Sequence, residues 1–399
     1  MIKTPKANRL HIGIFGKRNA GKSSLLNRLT NQDVSIVSPV AGTTTDAVEK
    51  TMEFLPLGPV VFIDTAGVDD EGSLGNQRIE KTKKIFDRTD IALIISDYNG
   101  WDNYEKELYN EFKRRQIPIV TVINKIDEAR PPQNVIDDIK KYTENLILTS
   151  TKKDEDIVNK VKKLLVENVP DYFINPPSIL GDIVAPKSTV MLVIPIDKEA
   201  LKGRIILPQV QCIRDLLDND CMPYVVKVSE LAQATANLKV PPSLVVTDSQ
   251  AFKEVDEIVD KSIPLTSFSI VFARIKGDLQ TFYEGARTID ELQEGDNVLI
   301  CESCSHHPIE DDIARVKIPR WIKNKTGKDM NYSFHSSHDF VNDLDKYKLI
   351  IHCGACMTNR REILSRIMKA KEANVAITNY GIAIAHCLGI LPRAMKPFS

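Results

Sequence analysis

The sequence predicts an α/β protein of three modules, each with parallel strands alternating with helices. Over the first 170 residues, short β-rich runs alternate with amphipathic helical patterns, an order typical of a mostly parallel sheet covered by helices. Two proline-bearing stretches without a hydrophobic period, DYFINPPSILGDIVAPKS and KSIPLTS, interrupt this alternation. At roughly 150 residues per domain, a chain of 399 residues accommodates two or three domains with separate cores.

The elements of the first module, residues 1–172, follow from its hydrophobic pattern. We predict strands at Leu10–Phe15, Val60–Asp64, Ile91–Ser96, Ile117–Asn124 and Leu146–Ser150, and helices at Lys22–Leu29, Asn76–Asp87, Asp102–Arg115 and Asp154–Glu167. The prolines that follow have no helical or strand period, so they predict a linker.

The middle module, residues 173–265, contains the strand-like runs VMLVIPI, PYVVKV and SLVVTD and the helix-like runs QVQCIRDLLDN and AFKEVDEIVDK. It has no phosphate loop and no cluster of metal-ligand residues. In the last module, residues 266–399, we predict strands at FSIVFAR, NVLICES, KLIIHC and VAIT, and helices at Asp278–Leu292, Arg360–Lys371 and Tyr380–Leu388. Lacking chemical motifs, the middle module is the candidate dimer surface.

Charge and hydropathy exclude several classes of protein. The chain has 53 basic and 54 acidic side chains, a net charge of −1, so bulk electrostatics predict neither a nucleic-acid nor a membrane partner. Its N-terminal apolar stretch is shorter than a signal-peptide core, and no run approaches the roughly 18 residues of a membrane span. We therefore expect a cytoplasmic protein whose seven cysteines are thiols or metal ligands.

A glycine-rich loop between the first strand and the first helix predicts a phosphate-binding site. GKRNAGKS fits the pattern G-x-x-x-x-G-K-S, in which the glycines turn backbone N–H groups toward one anion at a helix N-terminus. Lys22 would reach the β- and γ-phosphates, and the Ser23 hydroxyl would ligate Mg²⁺. The candidate nucleotide contacts here are Gly16, Asn19, Ala20, Gly21, Lys22, Ser23 and Ser24.

Three further motifs indicate a guanine nucleotide. Asp64 and Gly67 of DTAG follow a strand, where they suit water-held Mg²⁺ and the γ-phosphate. Asp127 suits the paired N1–H and N2–H₂ donors of guanine, whereas adenine would leave its charge unpaired at a cost of several kcal/mol. The remaining candidate base contacts are Asn124, Lys125, Ser150, Thr151 and Lys152.

The segment AGTTTDAV supplies threonines for a switch loop that closes over Mg²⁺. Thr43, Thr44 and Thr45 are all candidates, and we favour Thr44. Val68 follows DTAG, where many small GTPases place a water-orienting glutamine. An apolar side chain cannot orient water, so we expect slow hydrolysis or another catalytic group.

Together these motifs resemble the Era/TrmE group of GTPases. In that group, the loop asparagine that matches Asn19 helps bind a K⁺ ion in place of an arginine finger. The resemblance implies GTPase activity that is several-fold higher in K⁺ than in Na⁺. A simple loop-stabilising hydrogen bond is the alternative role for Asn19.

Cysteine and histidine residues of the last module form a second candidate site. Cys304 and His306 precede His352, Cys353 and Cys356, with 45 residues between the two histidines. A C-x-x-C turn at a strand end lets two thiolates converge, and a following helix N-terminus favours their negative charge. With a second Cys/His pair at a distance, this pattern predicts a metal site.

The spacing of these residues is compatible with zinc and with an iron–sulfur cluster, because both use thiolates. Along an extended strand, Cys301 and Cys304 would point to opposite faces unless a turn intervenes. The candidates for a fourth ligand or a neighbouring role are therefore Cys301, Glu302, Glu310, His306 and His352.

The whole pattern resembles the HydF family, the scaffold GTPases of [FeFe]-hydrogenase maturation. Cys304, His306, His352, Cys353 and Cys356 match the family motif C-x-H…H-C-x-x-C. The resemblance implies a GTPase domain, a dimerisation domain and a domain binding a [4Fe–4S] cluster through the three motif cysteines. It also implies a homodimer that receives a diiron CO/CN⁻ precursor from HydE and HydG and delivers it to apo-[FeFe]-hydrogenase. An RNA-modification or ribosome-assembly GTPase with a zinc site is the alternative.

Overall fold

The computed structural model describes residues 4–30, 48–65, 84–196, 205–303, 312–336 and 340–398. The chain divides into two compact units, Met1–Pro176 and Pro177–Ser399. The division falls between the two adjacent prolines of the predicted linker. Among the described helices, none is long and apolar enough to cross a membrane.

The first unit contains a six-stranded sheet. Its strands are β1 (Leu10–Phe15), β2 (Val48–Phe54), β3 (Gly58–Asp64), β4 (Ile91–Ser96), β5 (Ile119–Ile123) and β6 (Leu146–Leu148). The order is β2-β3-β1-β4-β5-β6, parallel except for the antiparallel pair β2–β3. The described helices are α1 (Lys22–Thr30), α2 (Asn103–Arg114), α3 (Gln133–Lys140), α4 (Ile157–Asn168) and α5 (Asp171–Ile174).

The sheet of the first unit is covered on both faces, as an α/β fold requires. Leu10, Ile12 and Ile14 of β1 pack into one buried apolar cluster, and Phe15 packs into the other with Phe112 of α2. The loops after β1, β3 and β5 leave the sheet from its carboxyl edge, where open α/β sheets bind ligands. The predicted helix at Asn76–Asp87 lies mostly outside the described residues.

The second unit contains two parallel four-stranded sheets. The first has β7 (Thr189–Val193), β8 (Met222–Val226), β9 (Leu244–Thr247) and β10 (Leu265–Ser267) in the order β10-β9-β7-β8. The second has β11 (Asn297–Glu302), β12 (Asn331–Ser336), β13 (Leu349–His352) and β14 (Ala376–Asn379) in the order β12-β11-β13-β14. The α/β prediction is confirmed.

The helices of the second unit surround both sheets. They are α6 (Leu207–Asp218), α7 (Leu231–Ala236), α8 (Phe252–Ile258), α9 (Phe268–Lys276), α10 (Leu279–Arg287), α11 (Ile318–Thr326), α12 (Arg360–Glu372), α13 (Tyr380–Cys387) and α14 (Leu391–Met395). One buried cluster extends from Met191 of β7 through Leu299 of β11 to Ala394 of α14. The two sheets therefore share a core, which makes residues 177–399 one unit.

The prediction of a strand at FSIVFAR was wrong, because this segment forms helix α9. The Ser267 hydroxyl caps the helix by accepting a hydrogen bond from the Ile270 N–H. Phe268, Val271 and Phe272 enter one apolar cluster, whereas Ile270 enters another. A helix buried on opposite sides has a continuous apolar run, which periodicity alone cannot distinguish from a buried strand.

Candidate functional site

The predicted phosphate loop connects β1 to α1. Gly16 and Gly21 have φ of +138° and +102°. A β-carbon on Gly16 would clash with the Ile95 carbonyl oxygen, and one on Gly21 would clash with the Asn124 side-chain amide. Both positions therefore require glycine for conformation and for space. The exposed Asn19 also has positive φ, at 61°.

Lys22, Ser23 and Asp64 lie together at this edge of the sheet. The buried Lys22 ammonium donates to the carbonyl oxygens of Gly16, at 2.5 Å, and Lys17, at 2.9 Å. The Ser23 hydroxyl donates to an Asp64 carboxylate oxygen at 2.9 Å. A hydroxyl and a carboxylate from successive motifs thus meet, and both are oxygen ligands of the kind Mg²⁺ prefers. Ser24 is exposed on the first turn of α1, and Ala20 is buried.

Asn124 joins the loops of the nucleotide site to each other. Its buried side-chain amide donates to the Ala20 carbonyl oxygen at 2.9 Å, and its oxygen accepts from the Thr151 N–H at 2.9 Å. The sequence predicts only a base contact for this residue. Its motif carries no information about partners in other loops, so the cross-link becomes evident only in the fold.

Asp127 and the loop after β6 form the predicted base-binding side. Asp127 is half-buried, and a hydrogen bond from the Ser150 side chain, with the charges of Lys152 and Lys153, holds its carboxyl pKa below the usual range. Ser150 is buried, and its hydroxyl also accepts from the N–H groups of Lys152 and Lys153. The carboxylate is thereby kept ionised. Lys125 adopts φ of +60° between the two motif side chains.

An anchor for the phosphate loop was missed by the sequence predictions. The Lys17 ammonium pairs with Asp102, the N-cap of α2, and lies 3.8 Å from Glu105. Glu105 accepts from the Asp102 N–H in a capping box, and its side chain is only 1% exposed. Burial raises the pKa of Glu105 to about 7. The D-x-x-E spacing signals the cap, but nothing in it signals the lysine.

Several predicted site residues lie outside the described residues. In the nucleotide site these are Thr43, Thr44, Thr45, Gly67 and Val68, and in the thiol site they are Cys304, His306 and Glu310. Their assignments stay predictions.

The thiol loop, residues 353–359, connects β13 to α12. The Cys353 N–H donates to the Cys301 carbonyl oxygen at 2.8 Å, and the Ser303 N–H donates to the Cys353 sulfur at 3.2 Å. Ala355 has φ of +53°, within the turn between Cys353 and Cys356. An N–H donor aimed at sulfur stabilises a thiolate, whereas burial raises the Cys353 pKa.

Lys276 approaches the thiol loop from the last position of α9. Its ammonium donates to the carbonyl oxygens of Ala355 and Thr358, both at 2.9 Å, and of Cys356, at 3.3 Å. The residue is 7% exposed. Burial lowers the pKa of Lys276 to about 8, against the raising influence of Cys356 and Cys353. This side chain was also missed, because its partners are backbone atoms.

Both ring nitrogens of His352 are within hydrogen-bonding distance of protein partners. Nδ1 lies 2.7 Å from the Cys353 carbonyl oxygen, and Nε2 lies 2.6 Å from the Arg366 guanidinium. Arg366 donates in turn to Glu362 at 2.6 Å. Burial and the Arg366 charge lower the pKa of His352 to about 3. These contacts assign a neutral ring that donates from Nδ1 and accepts at Nε2.

Cys301 and Glu302, two other candidates for the fourth ligand, already have packing or hydrogen-bond partners within the protein. Cys301 is fully buried with Leu299 in the core shared by the two sheets, and burial raises its pKa to about 12. Cys353 instead packs against the cluster that contains Ile300. Glu302 accepts from the Arg315 guanidinium at 3.0 Å and from the Ser336 hydroxyl at 2.9 Å.

The described part of the thiol site fits a thiolate-bound, negatively charged group. The described residues contain no cluster of three or more His, Cys, Asp or Glu that could hold a metal, and Cys304 and His306 lie outside them. The loop nevertheless presents two cysteines, the Ser303 N–H donates to one of their sulfurs, and the buried Lys276 ammonium donates to the loop backbone. The buried Tyr380 hydroxyl, in the apolar cluster that Cys353 contacts, has no hydrogen-bond partner among the described residues. Such an orphaned donor suits an anionic acceptor.

The strand–loop–helix geometry around Gly16–Ser23, with Asp64, Asn124 and Asp127 at the same sheet edge, defines a P-loop protein of the guanine-nucleotide-binding class. The family model described as 50S ribosome-binding GTPase matches residues 11–125. The Hydrogen maturase F dimerization domain matches residues 179–277, and the Hydrogen maturase F tetramerization domain matches residues 280–397. These two models cover more than half of the chain, which belongs to the hydrogen maturase F family.

GTPases from several bacteria are similar to part of the chain. GTPase Era of Aquifex aeolicus is 33% identical over 43% of this chain and 61% of its own length. The tRNA modification GTPase MnmE of Prochlorococcus marinus is 35% identical over 39% of this chain and 34% of its own length. GTPase Der of Nitratiruptor is 30% identical over 43% of this chain and 38% of its own length. The chain thus spans between about a third and three fifths of these relatives.

Among solved structures, Aquifex aeolicus Era bound to GDP·AlF4⁻ is similar to 54% of this chain and 92% of its own, with 23% identity and a TM-score of 0.34. The G domain of the T. maritima FeoB iron transporter matches 40% of this chain and 98% of its own, with 19% identity and a TM-score of 0.29.

Proposed function

We propose that this protein is a cytoplasmic GTP-hydrolysing scaffold that binds a [4Fe–4S] cluster and assembles or delivers the diiron precursor of the [FeFe]-hydrogenase active site. The observation that carries the proposal is the presence, in one chain, of a phosphate-loop unit and of two hydrogen maturase F domains, the second of which contains the thiol loop. The proposed partners are HydE and HydG, which supply the CO/CN⁻-bearing precursor, and apo-[FeFe]-hydrogenase, which receives it.

In the nucleotide site, Lys22 binds the β- and γ-phosphates of GTP, while Ser23 and Asp64 hold Mg²⁺ directly or through water. Their 2.9 Å contact supports this assignment. Thr44 is the proposed further Mg²⁺ ligand and Gly67 the proposed contact to the γ-phosphate, both from their motifs alone. Asn19 would help to hold a K⁺ ion, which would supply positive charge near the phosphates, since Val68 replaces the water-orienting glutamine of many small GTPases. Its exposed position on the phosphate loop supports this role.

On the base side, Asp127 accepts from guanine N1–H and N2–H₂, and Asn124 lies at the N7/O6 edge. The lowered Asp127 pKa supports this reading, because an ionised carboxylate is the acceptor that guanine requires. Lys125 and the loop of Ser150, Thr151 and Lys152 enclose the base.

In the thiol site, Cys304, Cys353 and Cys356 hold the cluster. When bound, the cluster would supply an iron to which an exchangeable ligand, such as a cyanide of the carried diiron unit, could bind. His352 and Glu302 are held by arginines and Cys301 packs on the other side, so we propose that the fourth position is filled by His306, Glu310 or that exchangeable ligand. His352 then serves to orient the loop.

We propose a homodimer formed through β8, an edge strand of the first sheet of the second unit. Met222, Tyr224 and Val225 are exposed there, although their strand is apolar. An exposed apolar edge offers unpaired backbone groups and buriable surface to a second copy. The match to a dimerization domain over this sheet supports the proposal.

Anaerobic preparation tests the cluster. We expect a brown protein with about four irons per chain, lost in Cys353→Ala and Cys356→Ala but kept in the matched control Cys387→Ala, whose cysteine lies at the end of α13. Colourless protein with stoichiometric zinc would instead favour the alternative, an RNA-modification or ribosome-assembly GTPase. Infrared bands of CO and CN⁻ after co-expression with HydE and HydG test the cargo.

A further inference from the structure

Although the Glu362 carboxylate acts on its charge through space, the buried Lys276 ammonium forms no ion pair with a carboxylate in the described part of the chain. Its three hydrogen bonds go to backbone carbonyl oxygens of the thiol loop, at 2.9, 2.9 and 3.3 Å. Arg366, another buried cation of this unit, donates instead to the carboxylate of Glu362. Carbonyl dipoles solvate an ammonium but do not neutralise it.

Burying such a charge is costly, and the hydrogen bonds alone do not account for the cost. A neutral donor could hold the same carbonyl oxygens, whereas an unpaired charge in an apolar setting carries a large desolvation penalty. A buried charge is expected to face a group of opposite sign. The thiols of Cys356 and Cys353 act on this charge more strongly than Glu362, whose carboxylate accepts from Arg366. Cysteines bind metal as thiolates.

Lys276 also connects the thiol loop to the other sheet. It is the last residue of α9, whose N-cap Ser267 ends β10. Lys276, which holds the loop, lies in the stretch matched by the dimerization domain. The cysteines of the loop lie in the stretch matched by the tetramerization domain. The ammonium is therefore placed by a helix with six buried residues, Lys276 among them.

We infer that Lys276 is a positioning residue for the thiolate-bound cluster: it holds the loop by three carbonyl oxygens, and its charge raises the reduction potential of the cluster. This inference rests on the proposed cluster function. A fixed positive charge beside an anionic cluster favours the reduced form, which carries one more negative charge, so net charge and hydrogen bonding tune the potential.

The test is an anaerobic redox titration, followed by electron paramagnetic resonance, of the full chain with its cluster. In Lys276→Met we expect a more negative midpoint, with the ratio of reduced to oxidised cluster at the wild-type midpoint falling about tenfold, equivalent to about 59 mV for one electron. The matched control is Thr358→Val. It removes a neutral hydrogen bond, from the Thr358 hydroxyl to the Ala355 carbonyl oxygen at 3.2 Å, within the same loop. This control should keep the wild-type midpoint.

Two further variants separate charge from hydrogen bonding. Lys276→Gln keeps donors but no charge and should follow Lys276→Met, whereas Lys276→Arg keeps the charge and should stay near wild type. If both neutral variants fold by circular dichroism but retain no iron while Lys276→Arg and Thr358→Val retain it, the charge is required, which supports the inference. A wild-type midpoint in either neutral variant, an equal shift in Thr358→Val, or iron loss in Lys276→Arg would overturn it.

Failure of the inference and failure of the proposed function give different results. A wild-type protein without an iron–sulfur cluster contradicts the proposed function itself. A wild-type protein with the cluster and an unchanged midpoint in Lys276→Met contradicts only the role of Lys276. GTP hydrolysis serves as an internal control, because the nucleotide residues belong to the other unit.

Discussion

The side-chain amide of Asn124 donates a hydrogen bond of 2.9 Å to the carbonyl oxygen of Ala20, 104 positions earlier in the chain. The base-binding motif is thus fastened directly to the phosphate loop. The same side chain accepts from Thr151 in the loop after β6. A fully buried residue with partners in two loops fixes the distance between the phosphate and base ends of the nucleotide site.

Asn124→Ala should therefore weaken GTP binding beyond the loss of one base contact. It leaves the Ala20 carbonyl oxygen and the Thr151 N–H without this partner, at about 1–3 kcal/mol for a buried polar group. We expect the dissociation constant for GTP to rise roughly 10- to 100-fold, measured by titration calorimetry. Asn134→Ala, on the exposed side of α3, is the control. Unchanged affinity in Asn124→Ala would contradict the cross-link.

Potassium should accelerate GTP hydrolysis if Asn19 helps to bind it. We expect a several-fold higher turnover in KCl than in NaCl at equal ionic strength, measured by phosphate release. Asn19→Ala should remove the difference while keeping GTP affinity within a few-fold of wild type, because the phosphate contacts come from Lys22 and backbone N–H groups. Equal wild-type rates in the two salts would limit Asn19 to a structural role.

The buried carboxyl of Glu105 should make the stability of the first unit depend on pH. Its pKa is raised to about 7 from an ordinary 4.5, so the folded state binds its proton more tightly than the unfolded state does. The resulting stabilisation is complete below about pH 4.5 and is lost as pH rises through 7. Each pKa unit corresponds to about 1.4 kcal/mol.

Glu105→Gln should flatten this dependence, because glutamine preserves the capping box without titrating. Between pH 5 and 8, the free energy of unfolding of wild type should fall by about 1–3 kcal/mol relative to the variant. Urea unfolding followed by Trp101 fluorescence in a Trp321→Phe background reports on this unit, since Trp101 directly precedes the helix cap. Parallel pH profiles for both proteins would refute the titration of Glu105.

The exposed edge of β8 should determine the oligomeric state. Val225→Lys places a charge on this strand and should shift a dimer toward monomer, because edge charges oppose strand pairing. Light scattering after size-exclusion chromatography measures the mass. Ile174→Lys, which charges an exposed apolar residue of α5, is the control. If Val225→Lys keeps the wild-type mass, the dimer forms through another surface.

The elements with strong local signals could be predicted from the sequence. β1 and β4 have the predicted bounds, and the phosphate loop lies between β1 and α1 as its glycines require. By contrast, β2 was not predicted, because this edge strand is half-exposed and its apolar and polar residues do not alternate clearly. Helix α9 was mistaken for a strand because it is buried on opposite sides.

Site residues could be predicted only where they belong to a short sequence motif. The motifs identified Asp64, Asp127 and Cys353, but not Lys17 or Lys276. Lys17 meets Asp102 across 85 positions, and Lys276 meets Ala355 across 79. The contact between a lysine and a backbone carbonyl oxygen of a distant element leaves no spacing or residue pattern in the sequence. Such contacts depend on the tertiary fold alone.

The single core that joins the two sheets of the second unit has a consequence for protein engineering. Helix α9 begins at the tip of one sheet and ends beneath the thiol loop of the other, so a transplanted loop would arrive without its buried ammonium. Any graft intended to reproduce the contacts of the thiol loop must carry residues 177–399 as one piece. Recombination within this stretch during evolution would likewise separate residues that pack in the same apolar core.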